Sequence, residues 1–402
     1  MNTRTKWLLF GVAFFAFYTL YRFGYAVVQP PGFIPNDFTT FHTAADRLAR
    51  GVSFYQGDDD SPFKYSPTFL VIFYPLFTGL SKYASWFVWC ALSAFGLSAT
   101  LFIFLHKGLP AKLDRRFFLA LATSVVFGWH GYIEHFSYGQ VDVLLLACFV
   151  AATVAPRMVA VALMSFVLIT KPQAAILLSF WAFTQEWRRI GEILVGTFIL
   201  LILPALWWGV PHHIEFFRQW KSCLGKQDYI FMTGNLNQSF AAALARILLH
   251  KPWVSALSML SITAAAIASI ALALRIRGNS AMLKQLTKPD LRLRLACVTL
   301  GIYLVVTPLS WRWLTFIWMP MATLLWTDLF SQTRTNKTMS VSLVVFSLAG
   351  LILQRVVANA IGIPEVDELS WAGLYALGNL CLLIAATSNI GILYFQKSKS
   401  RI

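Results

Sequence analysis

The chain has 402 residues, 58% of them hydrophobic and 12% charged, with a mean hydropathy of +0.64 and a formal net charge of +16. Soluble proteins average about 45–50% apolar and about 25% charged residues, so a water-soluble globule is excluded and lipid must be the solvent for much of the surface. The basic residues are scattered between apolar segments rather than gathered in a stripe with interleaved aromatics, which argues against a nucleic-acid partner.

Apolar stretches near residues 7–28, 84–106, 117–136, 139–155, 157–170, 172–184, 193–208, 253–274, 295–310, 313–330, 339–354 and 372–395 predict an all-α polytopic membrane protein of about twelve transmembrane helices. The first run is nearer a spanning helix than the apolar core of a signal peptide, which is about 7–15 residues long, so it reads as a retained helix. With both termini cytoplasmic, 20 of the 33 basic residues fall in cytoplasmic connections, as the positive-inside rule requires. The long polar connections 29–67, 209–252 and 355–371 then lie outside. The stretch 68–80 is apolar but broken by Pro75 and Gly79, and would invert the later basic loops if it crossed. It is therefore expected as a re-entrant or interfacial helix on the outer face. The expected organisation is one integral membrane domain over 1–402, in the plasma (inner) membrane. Residues 29–83 form an extracytoplasmic loop that contains interfacial helices.

Polar groups stand out against this background, taken in chain order. Asn36-Asp37 precedes an amphipathic segment, Thr39–Arg50, with Ala44, Ala45, Leu48 and Ala49 as its apolar stripe. Asp37 reads either as a helix cap or as a carboxylate held at the membrane interface as a general base. Asp58-Asp59-Asp60, between Gly57 and Ser61-Pro62, reads as a solvated turn. His130, Glu134 and His135 lack zinc spacing, and the five cysteines show no ligand spacing, so no metal site and no cofactor are expected. Gly139-Gln140-Val141-Asp142 opens an apolar segment.

Lys171-Pro172 interrupts another such segment. A lysine at the bilayer centre costs about 2.5–3.5 kcal/mol, so it needs a partner or a wet cavity. It reads as an anchor for a lipid-linked phosphate or as a snorkelling lysine. Asn235-Leu236-Asn237-Gln238-Ser239 is an external amide-rich turn suited to hydroxyl-rich ligands. Ser310-Trp311-Arg312-Trp313 ends an outward span, where Arg312 can grip a phosphate bidentately or anchor at the headgroups. All these groups lie on one expected side of the membrane.

The ordered succession also resembles a known family. Asp37-Phe38, Ala44, Leu48, Gly51 and Tyr55, then Phe63-Lys64-Tyr65-Ser66-Pro67 and Pro75-Leu76, resemble the opening of glycosyltransferase family 87. Gly139-Gln140, Lys171-Pro172 and Asn237-Gln238-Ser239 continue the pattern, over about residues 36–320. The resemblance implies a GT-C glycosyltransferase fold and a polyprenyl-phosphate-linked hexose donor, usually mannose, used on the extracytoplasmic side. It implies transfer to a lipid or glycan acceptor with inversion, and Asp37 as the catalytic base. Lys171, Lys64 and Arg312 would serve the donor phosphate. Tyr65, Gln140, Asn237, Gln238 and His42 would contact the substrates. Two positions depart from the family pattern: Asp142 stands where an asparagine is common, and Trp313 where a histidine is. A transporter or flippase for a lipid-linked sugar is the alternative, and it calls for charges along a crossing path rather than at one face.

Overall fold

A bilayer offers the backbone no hydrogen-bond partners, so a chain this apolar must pair its amides within each segment or in a closed barrel. The computed structural model follows the first route: among the described residues every regular element is a helix. The structure describes residues 17, 21, 36–56, 62–107, 138–225, 237, 239–247, 254–286, 288–307 and 374–399. Among these, three helical stretches are long and apolar enough to cross a membrane: Lys82–Phe104, Trp187–Trp208 and Ala256–Arg277. Leu194, Val195, Phe198, Ile199 and Leu206 on the second, and Met259, Leu260 and Ile267 on the third, point outward. Apolar faces of this length and exposure suit a lipid surround.

The chain divides into two compact units. The first, built from residues 1–103, 134–172 and 191–227, contains the segments of interest. Helix α1 (Asn36–Ala49) buries Phe38, Phe41, Ala44 and Ala45 along one face. The opposite face carries the exposed Asp46–Arg50 ion pair, so α1 is an amphipathic surface helix. It lies on α2 (Pro67–Gly79), whose start is set by Ser66: its hydroxyl accepts from the Phe69 amide at 3.3 Å, with Pro67 at the first helical position. Thirteen residues rise only about 20 Å, short of the ~30 Å hydrocarbon core. Helices are thus present over the expected segments 39–50 and 68–80, and the second is too short to span.

Helix α3 (Lys82–Lys107) follows after a tight turn, in which the Ser85 hydroxyl donates to the Leu76 carbonyl at 2.8 Å. Helices α4 (Asp142–Val154) and α5 (Arg157–Thr170) pack side by side about the Ala155-Pro156 turn. A 3-10 helix (Pro172–Leu178) and α6 (Ser179–Phe183) continue from α5. The expected spans over 139–155, 157–170 and 172–184 are therefore short helices with mostly covered faces. Helix α7 (Trp187–Ile202) leads through α8 (Ala205–Trp208) to the amphipathic α9 (Val210–Gly225), which packs on α2.

The core of this unit is aromatic. Phe41, with no exposed surface, meets Tyr65 at 5.0 Å, Phe69 at 5.3 Å and Trp89 at 5.5 Å between ring centroids, each edge to face. That arrangement sets the positive ring edge against the negative face. Phe38, Phe63, Phe73 and Phe77 extend the cluster.

In the second unit, α10 (Phe240–Ile247), α11 (Val254–Arg277), α12 (Ser280–Leu286), α13 (Pro289–Val306) and α14 (Leu374–Lys399) pack with α6. Glu186 joins Arg189 at 2.9 Å and Arg292 at 2.7 Å there, and the Arg292 guanidinium sits 5.1 Å over the Phe180 ring. The expected spans at 117–136, 313–330 and 339–354 lie outside the described residues.

Phe41 sits at the centre of the aromatic cluster, so Phe41→Ala is expected to destabilise the protein by about 3–5 kcal/mol. A thermal unfolding scan in detergent should show a large drop in midpoint, and an unchanged midpoint would contradict the packing described.

Candidate active site

Proline disfavours helical geometry in the residue before it. Pro172 therefore ends α5 at Thr170 and leaves Lys171 extended, at φ −134° and ψ 93°. Released from the helix surface, the Lys171 side chain reaches the first residue of α4. Its Nζ donates to both oxygens of Asp142, at 2.7 and 2.9 Å. The two side chains are only 12% and 4% exposed. That is the partner a buried lysine demands, and Asp142 is stabilised further by its place in the first turn of α4.

Gln140, two residues before Asp142, donates its side-chain amide to Oδ2 of Asp37. The segment reaches Asp37 because Gly139 adopts φ +68°, a conformation that residues with a Cβ rarely take. A Cβ at this glycine would stand 2.9 Å from the Phe38 Cβ and 3.2 Å from the Phe38 amide nitrogen. Trp89 fixes the same turn by donating its indole N–H to the Gly139 carbonyl at 3.0 Å. Trp86 closes on Phe38 with ring centroids 5.1 Å apart.

A third segment, ahead of α2, carries Lys64. The carbonyls of Phe63, Lys64 and Tyr65 are each pinned, by the Cys223 thiol at 3.4 Å, the Trp220 indole N–H at 2.9 Å and the Tyr55 hydroxyl at 2.6 Å. Three consecutive anchors hold this strip of backbone, and the charge of Lys64 acts on Asp37.

The electrostatics of Asp37 follow from these neighbours. Burial pushes its carboxyl up to about 6, against the pull of Lys171 and Lys64 and of the Gln140 hydrogen bond; Asp142 adds to the rise. Burial penalises the charged form while the cations favour it, and burial wins. Asp37 lies inside the first turn of α1 rather than ahead of it, so the cap reading gives way to a carboxyl turned toward the Gly139–Asp142 segment. Such a group can take up a proton near neutral pH, beside cations able to hold an anion.

The glycosyltransferase family 87 model matches residues 63–308, more than half of the chain. The chain belongs to glycosyltransferase family 87. No curated protein matches it. The matched stretch includes Lys64, Tyr65, Gln140, Asp142, Lys171, Asn237 and Gln238; Asp37 and His42 precede it and Arg312 follows it.

Of the residues singled out in this family 87 glycosyltransferase, the fold gathers Asp37, Lys64, Gln140 and Lys171. The Tyr65 ring stacks on Phe69 at 4.7 Å within the aromatic cluster. His42 stands on α1 beside Lys82 and Asp46; burial, then Lys82, holds its imidazole below the ordinary range. Asn237, in the other unit, is fully buried, and its side-chain oxygen accepts from the Ser239 amide at 3.1 Å. Its carbonyl accepts from Arg246 at 2.8 Å. Gln238, Arg312, Asn235, His130, Glu134, His135 and Asp58–Asp60 lie outside the described residues. Among the described residues no three His, Cys, Asp or Glu side chains gather as a metal site.

Asp142 was missed as the partner of Lys171, although the signal was present. Each is a charge in an apolar run, and each needs what the other supplies. The tryptophan and cysteine anchors carry no local signal, because they act on backbone carbonyls far away in sequence.

Gly139→Ala is expected to cost about 1–3 kcal/mol through backbone strain and the clash with Phe38. It should also lower glycosyl transfer out of proportion to the fall in folded protein, by moving Gln140 off Asp37. Transfer per folded molecule, measured beside the unfolding midpoint, checks both effects.

Proposed function

We propose that the protein transfers a hexose, mannose in the first instance, from a polyprenyl-phosphate-linked donor to a lipid or glycan acceptor at the extracytoplasmic face of the cell membrane. Membership of family 87 supports the reaction class. The observation that carries the mechanism is the carboxyl of Asp37 on an amphipathic helix, with a pKa of about 6 and the two cations Lys171 and Lys64 acting on it. In this reading the twelve-helix GT-C architecture presents one polar face. The long connections 29–67, 209–252 and 355–371 are assigned to that side, and both termini to the cytoplasm.

In the proposed reaction Asp37 takes the proton of the acceptor hydroxyl. The oxygen attacks the anomeric carbon from the side opposite the phosphate, and the bond from that carbon to the phosphate oxygen breaks with its electron pair on the phosphate. The products are the glycoside, inverted at the anomeric carbon, and polyprenyl phosphate. A general base contributes about 10²–10⁴-fold and works best with a pKa near the operating pH. Cations placed where charge develops supply the electrostatic share; Lys171 and Lys64 are proposed for that part, and the family resemblance adds Arg312. Gln140 orients Asp37, while Tyr65, His42, Asn237 and Gln238 are the proposed contacts to substrate hydroxyls. No metal is assigned a step.

Asp37→Asn keeps the shape and removes the base, so it should lower the rate by about 10²–10⁴-fold. Purified protein in nanodiscs, given a polyprenyl-phosphate mannose with labelled sugar and a membrane lipid extract as acceptor, provides the measurement. Transfer at the wild-type rate would remove Asp37 as the base. Movement of the donor across vesicles without transfer would favour a flippase.

The pH profile is a separate check. A base with a pKa of about 6 is lost as the pH falls through that value, so kcat/KM should drop about tenfold per unit below it. Lys64→Met removes a cation that favours the carboxylate, so its acidic limb should move to higher pH. An acidic limb near pH 4 in the wild type, where an ordinary carboxyl titrates, would contradict the environment described.

A further inference from the structure

We propose that Asp142 is a positioning residue of the transferase site: its carboxylate holds the Lys171 ammonium beside Asp37 instead of on it. The proposal rests on the reading of Asp37 as the base and names the residue that keeps that base usable. Both oxygens of Asp142 engage Nζ of Lys171, at 2.7 and 2.9 Å, on a side chain that is 4% exposed. Asp37 meanwhile accepts from Gln140. Among the described residues, the charged groups that act on Asp37 are Lys171 after α5, Lys64 ahead of α2 and Asp142 on α4.

Without Asp142, the Lys171 charge is left to act on Asp37, the other carboxylate it is shown to influence. A direct pair between them would favour the carboxylate and make it a poorer proton acceptor. The chemistry also explains why the cation is needed beside the base. During transfer one negative charge leaves Asp37, which becomes a neutral acid, and appears on the departing phosphate. That group passes from a diester of about −1 to a monoester of about −1.5 to −2 at neutral pH. An ammonium bound to neither reacting group, and balanced at rest by Asp142, can turn toward the phosphate as that charge grows.

The test reads the protonation of Asp37 directly, without sugar transfer. A hydrophobic carbodiimide modifies protonated carboxyls, so labelling of Asp37 against pH, read by peptide mass spectrometry on the full chain in nanodiscs, gives its titration midpoint. Asp142→Asn should lower the midpoint by about one pH unit, because a like charge is removed and Lys171 is released to Asp37. Lys171→Gln should raise it, and D142N/K171Q should fall between wild type and K171Q. The drop caused by D142N should be larger with Lys171 present than in the K171Q background, the non-additivity expected when one residue acts through the other.

Equal drops in the two backgrounds would show that Asp142 is only a nearby charge, and would overturn the proposal; so would an unmoved or raised midpoint in D142N. If D142N is recovered unfolded, Asp142→Ser is read in the same two backgrounds, and equal drops there would again overturn the proposal. Transfer that survives in D37N removes the base assignment and leaves the order of these midpoints intact, so the two failures are distinguishable.

Discussion

Between α1 and the loop ahead of α4 there is room for a hydrogen atom and nothing larger. Gly139 supplies it, and the polar arrangement follows from that contact. Phe38 presses on the loop at a point where a Cβ would stand 2.9 Å away. The same turn offers its carbonyl to Trp89 and sends the next side chain, Gln140, to Asp37. Two residues further on, the chain enters α4 with Asp142 in its first turn, opposite Lys171. A four-residue segment thus connects the proposed base to the buried ion pair, and an apolar contact sets its position.

The rest of the unit keeps that segment in place by answering the demands of charge in an apolar medium. A single buried charge costs several kcal/mol unless it is paired and hydrogen-bonded. Lys171 and Asp142 satisfy each other with two hydrogen bonds, which fixes how the end of α5 lies against the start of α4. Lys64 is handled differently. Its backbone is held at three consecutive carbonyls, and its charge acts on Asp37. The aromatic cluster beneath, with Phe41 and Phe63 almost wholly buried, gives these anchors a rigid base.

Much of this was legible in the sequence, for physical reasons that differ from element to element. The membrane class follows from composition alone. The amphipathic stripe of α1 and the break at Lys171-Pro172 are local rules, helical periodicity and proline geometry, so both appear where expected. The brevity of α2 follows from Ser66-Pro67 at one end and Gly79 at the other. The Lys171–Asp142 pair was half visible: the need for a partner could be read at Lys171, but the identity of the partner depends on how two helices pack. Trp89, Trp220 and Cys223 were invisible as site residues, since each acts on a backbone carbonyl that only tertiary structure brings near.

The balance around Asp37 explains why a base would be built with cations that weaken it. Burial alone would carry the carboxyl higher, toward a group that stays protonated and inert at neutral pH. The pull of Lys171 and Lys64, with the Gln140 hydrogen bond, brings it back to about 6. Such a carboxyl is ionised at neutral pH and still more basic than one in water. A solvated aspartate would ionise readily but accept a proton poorly, and a fully apolar site would do the reverse. An amphipathic helix at the edge of the apolar region, with one face on aromatic rings and the other open to polar partners, provides the intermediate condition. The same cations that temper the base are then the ones a departing phosphate would meet, so a single set of charges can serve both ends of the proposed transfer.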